Sequence, residues 1–265
     1  MRRLLALLAV LAAATLGAGC VGPDGEEALQ LLRDADAAQQ ALSSASFDLS
    51  VEAGVPGQQL ALQVAGASVL RGEGAGNVHV RVSGSGLPGP SSLELVARDG
   101  RAFVRLDGAW QALPGPAGQP EAADPRVAEL TSSLASLQLE RYVTAVSVSA
   151  GPQLADEPTR QIVGGIDTEA LLDGVLARAT QALGPQAGPV PDLSHAAISD
   201  TTVVLVVGER TRLVRQALVT LTIDAAGEQG TLTLRYALRE PNGAVELPAI
   251  PRKVLRAAER AGTDA

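Results

Sequence analysis

The sequence predicts an α+β fold in which one curved antiparallel β-sheet carries helices packed on one of its sides. Three observations predict this class. Apolar and polar residues alternate along much of the chain, as they do in strands with one buried and one wet face. Two stretches near the middle of the chain instead carry apolar residues at helical spacing. Glycine (28 residues) and proline (16 residues) are plentiful, which favours many short elements joined by turns.

The first 19 residues have the character of a secretory signal peptide. Arg2 and Arg3 supply a positively charged start, and residues 4–16 form an uncharged, mostly apolar run. A run of about 13 residues is too short to cross a bilayer core of roughly 30 Å, so we interpret it as a signal and not as a transmembrane anchor. Residues 1–19 are therefore predicted to be removed.

The end of this signal, the sequence LGAGC at residues 16–20, resembles the lipobox of bacterial lipoproteins. In a lipobox the signal is cut before the cysteine, whose sulfur takes a diacylglycerol, although the usual leucine three places earlier is here Gly17. Cys20 is the only cysteine and has no disulfide partner. We predict lipidation at Cys20, a tether over residues 20–25, and an extracytoplasmic location anchored to the cell membrane, or to the outer membrane of a two-membrane cell. The alternative is a secreted protein with an incidental cysteine.

The first half of the predicted body is mainly β. A helix with acidic residues in its first turn is expected over residues 26–44. The alternating pattern of strands follows at residues 47–51, 60–64, 78–82, 93–95 and 103–107. Asp99-Gly100 and Asp107-Gly108 are tight-turn dipeptides, so residues 92–113 are predicted to form a meander of short antiparallel strands.

Two helices are expected next, and then strands again. Asp124-Pro125 is a typical helix start for residues 124–137, and Asp167 is predicted to cap a helix over residues 167–183. The later strands are expected at residues 201–207, 213–223 and 231–238, the first of them apolar on both faces and therefore covered on both sides. Residues 26–250 are predicted to form a single domain, followed by a polar C-terminal tail over residues 251–265 with a peripheral helix-like stretch.

The charge balance argues against nucleic acid as a partner. The chain has 29 acidic and 21 basic residues, a formal net charge of −8. Removal of residues 1–19 takes away two arginines and leaves about −10. A body this acidic is expected to be repelled by anionic headgroups, so the Cys20 anchor and not the surface charge is predicted to hold it at the membrane.

The residues give no support to catalysis or to a metal or cofactor site. His79 and His195 are the only histidines, and each is predicted to lie at the surface. The nucleophile-elbow, S-x-x-K and phosphate-loop motifs are absent. The segment Gly72–Gly76 imitates part of a dinucleotide-binding fingerprint but opens no helix, and the acid pair Asp156-Glu157 is most simply solvated surface. The protein is therefore not predicted to be an enzyme.

With the lipobox, two segments of the body carry a resemblance to a known family. Residues 98–110 (RDGRAFVRLDGAW) give a turn, an aromatic strand and a Gly-x-Trp, and residues 165–172 (GIDTEALL) give a strand end followed by a helix start. In this order the chain resembles the LppX/LprG-type lipoproteins of actinobacteria over most of residues 26–250. The resemblance implies a LolA-like half-barrel with helices across the concave side of its sheet. It also implies an apolar cavity that binds acyl chains of lipids or glycolipids for carriage in the envelope.

A lipid or glycolipid is accordingly the expected ligand, with the membrane as a partner through Cys20; a transporter partner stays open. The candidate lining residues of the cavity are apolar positions on the predicted helices and later strands: Leu130, Leu134, Leu172, Leu176, Leu205, Leu221, Ile223, Leu232, Leu234 and Tyr236. The alternative for each of them is ordinary core packing. The corresponding alternative function is a non-catalytic structural or protein-interaction lipoprotein with a closed core.

Overall fold

Hydrogen-bonded strands make up most of the described chain. The computed structural model describes residues 23–55, 58–86, 92–99, 101–106, 108–113, 141–154, 157–168, 196–225 and 228–263. The two helices of these residues are α1 (Pro23–Gln40) and α2 (Arg252–Thr263). The strands are β1 (Ser44–Val55), β2 (Gln58–Val69), β3 (Val78–Ser85), β4 (Ser92–Arg98), β5 (Arg101–Leu106), β6 (Ala109–Ala112), β7 (Val143–Ala150), β8 (Thr159–Ile166), β9 (Ala196–Gly208), β10 (Val214–Ala225) and β11 (Glu228–Leu238).

The described strands form one eleven-stranded sheet in the order β6-β5-β4-β3-β2-β1-β11-β10-β9-β8-β7. Sequential strands are neighbours almost throughout, and β3 to β6 and β7 to β10 pair antiparallel. The predicted fold class, an antiparallel sheet with packed helices, is confirmed. Residue contacts divide the chain into two compact units: α1 and β7–β10 belong to the first, β3–β6 and α2 to the second, and β1, β2 and β11 contribute to each.

In the first unit, α1 packs on the sheet through a regular apolar stripe. The stripe repeats at helical spacing, with Ala28, Leu32 and Ala35 fully buried. It lies in one cluster with residues of β7–β10, among them Ile162 and Val207. The helix predicted over residues 26–44 is present, but it begins three residues earlier, at a proline whose fixed φ suits the first turn, and it ends at Gln40, before Ser44 begins β1.

Strand β7 was not predicted, and its pairing shows why. A register shift between Thr144 and Ser147 inserts a bulge into its ladder with β8. A bulge moves the next side chains to the other face, so the period-two pattern on which strand prediction depends is broken. Strand β9, on the other side of β8, has Val203, Val206 and Val207 buried, in agreement with the expected cover on both faces.

In the second unit, β3–β6 form the predicted meander. Asp99 and Gly108 have positive φ values of 50° and 82°, as the tight turns after β4 and before β6 require. The segment Gly72–Gly76 is a turn between β2 and β3, as expected for a hairpin connection, with positive φ at three of its glycines.

The C-terminal stretch is not peripheral, contrary to the prediction. It forms α2, in which Val254 is buried in one cluster with Val96 and Phe103 of the sheet, and Leu255 and Ala258 pack against the same cluster. The mostly polar composition misled the prediction, because three apolar residues at helical spacing are enough to dock a short helix.

Two groups of predicted features lie outside the described residues. These are the helix over residues 124–137 and all but the first two residues of the helix over 167–183. Asp167, its predicted cap, is fully buried, and its backbone N–H donates to the carbonyl of Tyr142.

Candidate functional site

The candidate ligand-binding face of the first unit lies on β9 and β10. Leu205 pairs with Ala217 across the two strands, and Ile223 pairs with Ile198 further along. Residues in direct register share a face. A register shift lies between the two pairs, but its extra residue is on β9, so Ala217, Leu221 and Ile223 keep to one face of β10 and Leu205 shares that face. Leu205, Leu221 and Ile223 therefore lie on one side of the sheet, with Ile223 only half-buried.

Strand β11 adds three predicted residues that alternate with polar ones. Leu232 is buried, whereas Leu234 and Tyr236 are half-buried; the alternating residues Thr231 and Arg235 are exposed. Burial disfavours the charged phenolate and raises the pKa of Tyr236 to about 12. The strand therefore presents an aliphatic side that ends in a phenol which stays neutral at physiological pH.

The other candidate residues cannot be placed on this side. Cys20, Leu130, Leu134, Leu172 and Leu176 lie outside the described residues, as does His195. The candidate residues that the structure does describe differ in what they pack against. Leu205 belongs to the closed cluster beneath α1, while Leu221 and Ile223 are not members of it.

A buried ion pair sits at the turn between β9 and β10, and sequence reasoning missed it. Glu157 was predicted to be solvated, but its side chain is fully buried and its Oε1 lies 2.8 Å from Nη1 of Arg215, which is itself buried. Glu157 also accepts hydrogen bonds from the hydroxyl and backbone N–H of Thr211 and from the backbone N–H of Arg210. Burial alone would raise the pKa of the Glu157 carboxyl, but the hydrogen bonds outweigh it and lower that pKa below its ordinary value.

This pair determines the path of the chain next to the candidate face. Glu157 approaches Gly208 at the end of β9 so closely that a Cβ there would collide with the carboxylate. The turn that follows is thereby fixed to the segment before β8, which positions the start of β10. Glu157 is thus a structural residue of the sheet.

A second carboxylate lies on β4 in the second unit and corrects another prediction. His79 was expected at the surface, but its side chain is only 19% exposed and its Nε2 lies 2.8 Å from Oε1 of Glu94. Arg81 and Arg105 each place a guanidinium nitrogen 3.1 Å from the same carboxylate. Burial would raise the pKa of Glu94, but the bonds from His79 and Arg81 outweigh it and lower that pKa.

A small cleft of about 100 Å³ opens at this cluster. It is lined by Arg81, Ser92, Leu93, Glu94, Arg105 and Gly108. Within the described ranges, the His, Cys, Asp and Glu side chains form no group of three or more that could hold a metal ion. Neither of the described helices has the length and apolar character that crossing a membrane requires.

The antiparallel strand order, with a helix packed on β7–β10, agrees with the LolA-like class of fold that the family resemblance implied. The structure is similar to the crystal structure of LprF from Mycobacterium bovis, with a TM-score of 0.50 and 14% identity, over 86% of this chain and 99% of that chain. Lipoprotein LppX from Mycobacterium tuberculosis also matches, with a TM-score of 0.40 and 15% identity, over 84% of this chain and 99% of that chain. The sequence matches no protein-family model, and no curated protein matches it. The likeness to LprF confirms the resemblance to LppX/LprG-type lipoproteins at the level of the fold.

Proposed function

We propose that this protein is a membrane-anchored, extracytoplasmic lipoprotein that binds acyl chains of lipids or glycolipids in an apolar cavity and carries them in the cell envelope. The observation that carries the proposal is the fold shared with LprF along nearly the whole of that chain. The signal-like residues 1–19 and the lipobox-like end at Cys20 support the anchor and the location. A diacylglycerol carries two chains, which is enough for stable attachment.

The apolar sides of β10 and of β11 are the proposed ligand surface. Leu221, Ile223 and Leu234 provide aliphatic side chains there, and the last two are only half-buried. Each methylene removed from water contributes about 0.8 kcal/mol, so an acyl chain with about fifteen methylenes gains roughly 12 kcal/mol before ordering costs. Such a surface needs neither a catalytic group nor polar recognition to hold a lipid tail. Leu130, Leu134, Leu172 and Leu176 are proposed to line the same cavity.

One observation favours the alternative, an envelope lipoprotein with a closed core and a structural or protein-interaction role. Leu205, a proposed lining residue, packs with Leu31, Leu32 and Ala35 of α1 in a buried cluster. At this end of β9 the space between helix and sheet is filled by side chains. A carrier therefore needs its cavity further along, beside Leu221 and Ile223.

A fluorescent fatty acid measures the proposed binding directly. The chain of residues 20–265, with Cys20→Ser to prevent lipidation, is titrated with the probe in the absence of vesicles. Ile223→Gln places an amide on the proposed ligand surface, and Thr222→Gln places the same group on the opposite side of β10. An unpaired amide against an acyl chain costs roughly 1–3 kcal/mol, so Ile223→Gln should weaken binding about ten-fold or more.

The matched control decides between binding in the cavity and adsorption to the surface. Thr222→Gln should bind the probe like the parent chain. Absence of saturable binding to the parent chain, or equal losses in the two variants, would contradict the carrier and favour the closed-core alternative. Leu234→Gln and Thr233→Gln repeat the comparison on β11 with the same expectation.

A further inference from the structure

The charges of this acidic protein are unevenly distributed along the chain. Residues 78–112, which include β3–β6, and residues 252–263 of α2 together contain eight arginines and lysines against four acidic residues. The remainder of the chain contains thirteen basic and twenty-five acidic residues. Both segments belong to the second unit, whose residues 42–51, 60–132 and 237–265 contain eleven basic and twelve acidic residues, so the positive balance is confined to these two segments.

The sheet aligns two of the eight cations of these segments, Arg81 and Arg105, in one row. Arg81 of β3 is in register with Glu94 of β4, Glu94 with Arg105 of β5, and Arg105 with Trp110 of β6. All four side chains consequently share one face of the sheet. The guanidinium of Arg105 lies 6.0 Å from the centre of the Trp110 ring.

Glu94 holds Arg81 and Arg105 in place while leaving both guanidinium groups exposed to solvent. The carboxylate is buried and accepts one bond from each arginine, whereas the side chains of Arg81 and Arg105 remain 59% and 46% exposed. Each guanidinium has five N–H donors, and within the described residues the hydrogen bonds of Arg81 and Arg105 to Glu94 use one nitrogen of each. The cleft of about 100 Å³ lies between the two arginines and has room for a small anionic group.

Helix α2 adds cations to the same face. It packs through Val254 on Val96 and Phe103, which lie two positions from Glu94 and Arg105 on the same strands and therefore on the same face of the sheet. The residues Arg252 and Lys253 of this helix are exposed. Arg81, Arg105, Arg252 and Lys253 are called the basic face below.

We infer that the basic face binds an anionic lipid bilayer, with the cleft between Arg81 and Arg105 holding one headgroup phosphate. A guanidinium fork matches the geometry of phosphate oxygens. The net acidity of the rest of the chain does not prevent this, because salt screens exposed charges beyond about 8–10 Å. The choice of a bilayer over an acidic protein rests on the proposed membrane anchoring.

Vesicle co-sedimentation of the unlipidated chain (residues 20–265, Cys20→Ser) tests the inference without the anchor. Vesicles of phosphatidylcholine alone are compared with vesicles that contain phosphatidylglycerol. Each cation near an anionic leaflet contributes a factor of about five to binding, so Arg252→Gln/Lys253→Gln should bind the anionic vesicles about thirty-fold more weakly. Among the described hydrogen bonds and ion pairs, neither Arg252 nor Lys253 bonds to Glu94 or its partners. This variant therefore leaves the contacts of Glu94 with His79, Arg81 and Arg105 unchanged.

Arg235→Gln/Arg239→Gln is the matched control. These arginines are also exposed, they are ion-paired with Glu52 and Asp48, and their removal changes the net charge by the same amount. The control should bind anionic vesicles like the parent chain. Equal binding of the parent chain to both kinds of vesicle would overturn the inference, as would an equal loss in the control; an acidic protein would then be the better partner for this face.

The cleft has its own test. Arg81→Lys/Arg105→Lys keeps both charges and leaves partners for Glu94, but it removes the guanidinium forks. About three-fold weaker binding to the anionic vesicles is expected, since lysine meets a phosphate only as a point charge. Binding equal to that of the parent chain would overturn the assignment of the cleft. The fatty-acid titration contains no vesicles, so a failure of that assay and a failure here are distinguishable.

Discussion

Disruption of the ion pair between Glu157 and Arg215 tests most sharply which contacts stabilise the first unit. Both side chains are buried, with exposures of 0% and 7%, and the carboxylate also accepts three hydrogen bonds from Arg210 and Thr211. Glu157→Gln removes the negative charge while almost preserving shape. The guanidinium of Arg215 then stays buried without its counter-charge.

The expected cost is large because the pair is buried. Removal of one partner from a buried ion pair typically costs about 3–5 kcal/mol, whereas an exposed pair contributes about 0–1 kcal/mol. The chain contains a matched exposed pair, Glu52 and Arg235, with a comparable separation of 2.9 Å and exposures of 57% and 53%. Glu52→Gln is therefore the control, since it is the same chemical change opposite the same type of partner.

Urea unfolding followed by far-ultraviolet circular dichroism measures both variants. With a slope near 3 kcal/mol per molar urea, Glu157→Gln should lower the midpoint by roughly 1–1.7 M, and Glu52→Gln by no more than about 0.3 M. Replacement of both partners, in Glu157→Leu/Arg215→Met, should recover much of the loss, because no buried charge is then unpaired. A Glu157→Gln midpoint equal to that of Glu52→Gln would refute the reasoning.

The same carboxyl gives the pH dependence a definite sign. Its pKa is lowered in the folded protein, so the unfolded state binds the proton more tightly. The stability that this group contributes is complete above its ordinary value of about 4.5 and is lost as the pH falls through the lower, folded value. Unfolding free energies measured between pH 7 and pH 3 should therefore fall more steeply in the parent chain than in Glu157→Gln, and equal slopes would contradict the pKa direction.

Three further predictions concern other parts of the chain. Gly66→Ala should cost about 1–3 kcal/mol of unfolding free energy, because the new Cβ would collide with the Phe47 ring, whereas Gly54→Ala has open space and should be nearly neutral. Val254→Ala should cost about 1–2 kcal/mol and shift the emission of Trp110, the only tryptophan, while Lys253→Ala should do neither; an unchanged spectrum would argue against the docking of α2. Cys20→Ala should move the protein from the membrane fraction to the soluble extracytoplasmic fraction, and unchanged membrane association would rule out the anchor.

The features predictable from the sequence are those determined by local pattern. Alternation identified the strands of the meander, and the dipeptide Asp99-Gly100 identified a turn that the structure places at a positive φ. Helical spacing identified α1. Each of these signals lies within a few neighbouring residues, so no knowledge of distant contacts is needed.

The features that were missed depend on residues far apart in the chain. Glu157 looked like solvated surface because its partner Arg215 is 58 positions away. His79 looked exposed because Glu94, which binds its ring, stands on the next strand. Composition made α2 appear peripheral, and a bulge hid β7. The basic face could not be predicted for the same reason, because Arg81 and Arg105 come together only when β3, β4 and β5 pair. The net charge of the chain does not describe how its charges are arranged.

Native mass spectrometry of the chain of residues 20–265 with Cys20→Ser, purified from a lipid-rich host, tests the carrier proposal most directly. If the apolar sides of β10 and of β11 hold acyl chains, the native spectrum should show the protein with one or more added masses that correspond to lipids. These masses should be released on denaturation and should be depleted in Ile223→Gln but retained in Thr222→Gln. A spectrum containing only the ligand-free chain would contradict the proposal and favour a closed core.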